Sequence, residues 1–231
     1  MPTHNTSVPP ADFRELGIAP AVLDALDKRG VKTPTPIQHQ TIPLALQGKD
    51  IIGIAQTGTG KTFSFGLPML QRLAAGKGRG LVIVPTRELA YQVEESLKPF
   101  ASAVGIRMAV IVGGSPMHLQ RRQIKTSPRI IVATPGRLCD HLEKRTITLR
   151  EVNVLVLDEA DRMLDMGFKP QLNAILKEVP RKRQTLLFSA TMAQEIFTLA
   201  TKEMQLPLRI EVAPSGTTAA KVEQELIVVR Q

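Results

Sequence analysis

The chain has 231 residues, 43% of them hydrophobic, enough to bury one large core and suited to one domain or at most two. Its net charge of +9 suits a polyanionic partner such as nucleic acid, although the same excess also serves solubility. One cysteine, Cys139, excludes an intramolecular disulfide and a cysteine-built zinc site. No apolar run reaches the roughly 18 residues of a membrane span, and Met1 to Pro10 lacks the apolar segment of a signal peptide. A soluble cytoplasmic protein with a disordered tail over residues 1–10 is expected. Seven Phe, one Tyr and no Trp leave few platforms for stacking bases, so nucleic acid would be held through its backbone.

Residues 11–50 predict a helical cap, with one helix opened by Pro20 and closed by Gly30. Short Val, Ile and Leu runs then recur at Ile51 to Ala55, Leu81 to Val84, Met108 to Val112, Ile130 to Ala133, Val154 to Leu157 and Leu186 to Phe188. Runs without polar alternation predict strands buried on both faces. Helical spacing falls between them, as at Leu89, Val93, Leu97 and Phe100. The alternation predicts an α/β fold, a parallel sheet with helices on both faces, over residues 11–212. Ala213 to Ala220 reads as a linker, and Val222 to Val229 as an unpartnered strand that begins a further domain missing from this chain.

Ligands of such sheets bind beyond the carboxyl ends of the strands, and the candidate motifs sit there. The first run ends in Ala55-Gln56-Thr57-Gly58-Thr59-Gly60-Lys61-Thr62. Small residues let backbone N–H groups close around phosphate oxygens, Lys61 reaches the β- and γ-phosphates, and Thr62 supplies a hydroxyl for Mg2+. The fifth run delivers Asp158-Glu159-Ala160-Asp161 to the same edge. Asp158 is expected to coordinate Mg2+ through water, and Glu159 to orient or activate an attacking water. An acidic helix start explains such carboxylates singly, and a glycine-rich turn explains Gly58 and Gly60. The two motifs in this order are the signature of a RecA-like P-loop nucleotide hydrolase, with Lys61, Asp158 and Glu159 as candidate catalytic residues.

Pro85-Thr86-Arg87 follows the second run, Gly113-Gly114 the third and Thr134-Pro135-Gly136-Arg137 the fourth. Helix starts and arginines both bind phosphate, so nucleic-acid phosphates are candidate ligands; helix capping beside a surface arginine is the alternative. Ser189-Ala190-Thr191 follows the sixth run, and Thr191 with Gln194 fits a capping box. His4, His39, His118 and His141 show no metal-ligand spacing and receive no role.

From Phe13 to about Arg209 the chain resembles the N-terminal RecA-like lobe of the DEAD-box RNA helicases, whose namesake is the tetrapeptide Asp158 to Asp161. Within the family it is similar to bacterial members of the RhlE kind. The resemblance implies ATP and Mg2+ as cofactors and makes Thr33 to Gln38 an adenine-reading segment, with Phe13 packing on the base. A glutamine amide offers the donor and acceptor that adenine N7 and N6 require. The resemblance also implies RNA-backbone contacts at Pro85 to Ala90, Gly113-Gly114 and Thr134 to Arg137. It makes Asp161, hydrogen-bonded to Ser189 to Thr191, the link between hydrolysis and strand separation. A second RecA-like lobe in cis after Gln231 is implied, carrying arginine fingers and half of the RNA site, so that residues 1–231 alone would be nearly inactive. A non-catalytic ATP-gated RNA clamp and a DNA-directed P-loop ATPase are the alternatives.

Overall fold

A computed structural model describes residues 12–212 and the backbone of Glu225–Leu226. The tail expected over residues 1–10 and the linker expected over 213–220 lie outside the described residues.

The Asp12 carboxylate accepts from the Arg14 amide and opens a 3-10 turn, Phe13–Leu16. Helix α1 (Pro20–Lys28) starts on a proline, where a missing N–H costs no helical bond, and the chain leaves it through Gly30 at φ 70°. Helix α2 (Pro36–Leu46) completes the cap. The body then alternates: β1 (Ile51–Ile54), α3 (Lys61–Ala75), β2 (Arg79–Ile83), α4 (Arg87–Ala103), β3 (Met108–Ile111), α5 (Met117–Lys125) and β4 (Ile130–Ala133). It continues through α6 (Pro135–Glu143), β5 (Val152–Leu157), α7 (Ala160–Asp165), α8 (Lys169–Glu178), β6 (Gln184–Ser189), α9 (Gln194–Glu203) and β7 (Leu208–Glu211). All six apolar runs become strands. β7 was not foreseen, because only Ile210 within it is buried.

The sheet runs β3-β4-β2-β5-β6-β1-β7-β8, parallel through β7. Glu225–Leu226 forms β8, which pairs antiparallel with β7. This corrects the expectation of an unpartnered strand over 222–229: the outer edge of β7 offers free N–H and C=O groups, and β8 takes them. Alternate strand residues feed two cores. Val82 and Val156 pack with Phe65, Leu97 and Ile37 beneath α1 to α4. Leu81, Ile83 and Leu155 pack on the other face with Leu138, Met163, Ile175 and Ile196 of α6 to α9. Truncating a residue such as Leu97 to alanine would cost about 2–5 kcal/mol.

Register decides where the chemistry lies. Ile54 pairs with Ser189, Ile83 with both Leu157 and Ala133, and Ile111 with Ala133. Strands β1 to β6 therefore end in line, and the segments leaving them share one edge.

Candidate functional site

At the end of β1 the Ala55 amide donates to Ser189 O at 3.0 Å. The chain then turns through Gly58 (φ 82°) and Gly60 (φ 92°), and Thr59 Oγ1 donates to Gln56 O at 2.7 Å. Both glycines occupy the left-handed region that side chains disfavour. A Cβ at Gly58 would meet nothing within 4 Å, whereas one at Gly60 would run into the Gln38 amide. Helix α3 then starts at Lys61, which is 6% exposed. The Lys61 ammonium has no hydrogen-bond partner, and Asp158 Oδ1 lies 3.9 Å away. A buried ammonium with three unused donors is costly unless an anion comes to it. The residues present therefore fit the phosphates of a nucleotide, seated at the amino end of α3.

Asp158 is 2% exposed; its amide donates to Ile83 O, and its Oδ1 accepts from the Glu159 amide at 3.0 Å. Burial pushes the Asp158 carboxyl up to about 6, with Lys61 opposing the rise and Glu159 adding to it. Thr62, Asp158 and Glu159 line one cleft of about 400 Å³ with Lys61 and the loop glycines. Among the described residues no cluster of three His, Cys, Asp or Glu could hold a metal. A divalent ion here would need phosphate oxygens beside Thr62 and Asp158. Glu159 sits at φ 51°, a left-handed conformation costing a non-glycine residue on the order of 1 kcal/mol, and Arg162 Nη1 donates to its Oε2 at 3.1 Å.

Of the segment Thr33 to Gln38, expected to read adenine, Gln38 reaches the cleft. Gln38 lines the cleft, but its Oε1 accepts from the Thr35 amide and its Nε2 donates to Gly60 O, both at 2.9 Å. Each atom keeps one further site for a base, a second lone pair on Oε1 and a second hydrogen on Nε2. Phe13 is 1% exposed and packs in the core with Leu16 and Ile37 rather than on the cleft wall, because burial of the ring excludes more water there. Thr33 is exposed and does not line the cleft. The remaining walls are Phe63, Leu89, Gln92 and Ser96, which the sequence reading missed. For three of them the signal is the spacing of 89, 92 and 96 on one face of α4, of which Leu89 is expected in the core and within the 85–90 segment.

Along the same edge, Thr86 Oγ1 accepts from the Leu89 amide at 3.2 Å and caps α4. The Arg87 guanidinium lies over Gly114, where a Cβ would run into it. Arg137 Nη1 donates to Ser115 O at 2.7 Å, and its Nε is 3.2 Å from Asp140 Oδ2. The hydroxyl of Tyr91 lies 3.3 Å from Ser115 Oγ. Arg87, Gly114 and Arg137 are thus brought together on this edge, with Tyr91 and Ser115 as unforeseen members, whereas Pro85, Thr134 and Pro135 are buried. Thr134 holds the N-cap position of α6 by backbone geometry, but its side chain makes no capping bond.

Asp161 Oδ2 accepts from the amides of Ala190 (3.0 Å) and Thr191 (3.1 Å) and from Thr191 Oγ1 (3.3 Å). The capping box expected from Thr191 and Gln194 is overturned: α9 begins after Ala193, and Asp161 takes the Thr191 hydroxyl. Ser189 is fully buried and accepts from the Thr191 amide at 3.4 Å. No helix among the described residues is long and apolar enough to cross a membrane.

A glycine-lined loop at the end of β1, a buried lysine beneath it and carboxylates at the end of β5 define a RecA-like P-loop lobe. The chain belongs to the DEAD/DEAH box helicase family, whose model matches residues 35–199. Over 224 residues it is 46% identical to an ATP-dependent rRNA helicase, rrp3, of Emericella nidulans, covering 96% of this chain and 48% of that protein. A protein of the same description from Aspergillus niger is 50% identical over 206 residues, covering 88% and 44%. Among solved structures, a DEAD box protein from the hyperthermophile Methanococcus jannaschii superposes with a TM-score of 0.82 at 37% identity, covering 87% of this chain and 55% of that one. The chain spans about half the length of the curated relatives it matches.

Proposed function

We propose that this chain is the ATP-binding lobe of an ATP-dependent RNA helicase. The observation that carries the reading is Lys61, a buried ammonium with no hydrogen-bond partner, 3.9 Å from the buried Asp158 on the sheet edge that also bears the three arginine and glycine turns. In this reading Lys61 and the 55–62 backbone hold the triphosphate, while Thr62 and Asp158 would hold Mg2+. The ion would supply neutralising charge on the β- and γ-phosphate oxygens when bound. Glu159, kept at the cleft by Arg162, orients the attacking water. Gln38 reads adenine with the second hydrogen of Nε2 and the second lone pair of Oε1, while its bond to Gly60 O ties the base-reading residue to the phosphate loop.

The segments at 85–87, 113–114 and 134–137 hold RNA through its backbone, with little sequence preference, since A-form RNA is recognised through phosphates and 2′-OH groups. Asp161 carries the state of the nucleotide cleft to Ser189 to Thr191, and through that segment to strand separation. A second RecA-like lobe in cis completes both sites and supplies arginine fingers, worth about 10³ to 10⁵ in rate in P-loop enzymes. The test is equilibrium binding of ATP to this chain with and without Mg2+: Mg2+-dependent binding that Lys61→Ala abolishes is expected, and binding indifferent to Lys61 would overturn the reading.

A further inference from the structure

The turn after β3 is held to α6 twice. In a half-buried position, Arg137 donates to Ser115 O at 2.7 Å. Beneath it runs a chain of buried polar groups. Gln120 Nε2 donates to Val112 O at 2.7 Å, Gln120 Oε1 lies 3.0 Å from His141 Nε2, and His141 Nδ1 lies 2.7 Å from Thr146 Oγ1. Gln120 is 3% exposed and His141 0%.

The hydrogen positions follow from this geometry. The Gln120 NH2 is committed to the Val112 carbonyl, so its oxygen faces the imidazole and can only accept. Nε2 therefore carries the hydrogen, and in the neutral ring Nδ1 faces the Thr146 hydroxyl, whose one hydrogen is shared between Nδ1 and the His141 carbonyl oxygen 3.1 Å away. Burial lowers the tendency of His141 to protonate, and the nearby Arg137 and Arg121 charges lower it further. Every polar atom of the pair is thereby satisfied. Such a network holds one geometry, where apolar side chains of similar volume would allow sliding.

Its two ends are informative. Val112 is the last residue before Gly113-Gly114, and α6, which carries His141, starts with Pro135-Gly136-Arg137. We propose that Gln120 and His141 are positioning residues for nucleic-acid binding, fixing the 113–115 turn against the amino end of α6 so that both meet one backbone at a set spacing. The inference rests on the RNA reading above. Neither side chain touches the nucleic acid; both act through Val112 and α6.

The experiment uses this chain with Gln120→Met, His141→Phe and the donor-retaining His141→Gln. Amide hydrogen exchange at 113–115 reads the tether without any ligand, and titration with an oligouridine reads its consequence. Expected for Gln120→Met and His141→Phe are faster exchange at the turn and RNA affinity weakened about tenfold, with ATP affinity within about twofold of the parent. His141→Gln should recover most of the RNA affinity. Variants that melt earlier yet bind oligouridine like the parent would overturn the inference and leave a packing role only. Should His141→Phe not fold, the volume-conserving Gln120→Met decides. A parent chain that binds no oligouridine contradicts the RNA reading itself, and the positioning role with it, whatever the exchange data show.

Discussion

One carboxylate oxygen of Asp161 accepts from both the amide and the hydroxyl of Thr191, at 3.1 Å and 3.3 Å. This joins the acidic motif after β5 to the segment after β6 through a charge-assisted contact, stronger than a neutral one. Thr191→Val removes the hydroxyl and preserves the side-chain shape. In a protein that also carries the proposed second lobe, ATP turnover should stay within about twofold while duplex unwound per ATP falls about tenfold. Parallel ATPase and strand-displacement assays check this; equal loss of both would remove the coupling role.

In the proposed reading, nucleotide binding rests on the charge of Lys61. Lys61→Ala removes the ammonium and leaves Asp158 without its nearest cation, so ATP affinity should fall at least about a hundredfold. Titration with a fluorescent ATP analogue measures it. A fall of less than about threefold would assign the phosphates elsewhere.

Asp158 is costly to the empty lobe. Its carboxyl is raised from 3.8 to about 6, so between those values the folded chain binds more protons than the unfolded one. Stability therefore falls as pH rises through that window, by ~3 kcal/mol once pH 7 is reached. Asp158→Asn mimics the protonated form. It should melt higher than the parent at pH 7, lose that advantage near pH 4, and bind ATP without response to Mg2+. Thermal melts at the two pH values check the sign.

The two loop glycines should respond unequally to alanine. Gly58→Ala meets open space and pays for the left-handed backbone alone, about 1 kcal/mol. Gly60→Ala pays the same and also displaces the Gln38 amide, so a loss nearer 2–3 kcal/mol is expected. Denaturant unfolding ranks them; equal losses would mean that Gln38 yields freely.

The strands β1, β2, β4, β5 and β6 were legible because a central parallel strand has no polar face, and Ile51 to Ile54 or Val154 to Leu157 can be little else; β3, at the edge, still buries three of its four residues. β7 was hidden because three of its four residues are not buried. The phosphate loop was legible because its glycines answer a geometric need within a few residues of chain. Contacts between distant segments were not. The turn of Gln38 to Gly60, the bond of Arg137 to Ser115, and the burial of His141 against Gln120 all depend on which strand ends lie side by side. That neighbourhood is set by the order β3-β4-β2-β5-β6-β1, which local spacing does not encode. Phe13 illustrates the converse: its place in a motif pointed to a base, while burial with Leu16 and Ile37 puts it in the core.

The most direct measurement is ATP turnover with and without RNA, for residues 1–231 alone and for the same chain joined to a second RecA-like lobe. The joined protein should hydrolyse ATP faster with RNA than with DNA of the same sequence. Glu159→Gln should stop turnover while ATP and RNA still bind. Residues 1–231 alone should stay near background, lacking a contribution of about 10³ to 10⁵ from the other lobe. Robust RNA-stimulated turnover by residues 1–231, or unimpaired hydrolysis by the Glu159→Gln protein, would contradict the assignment.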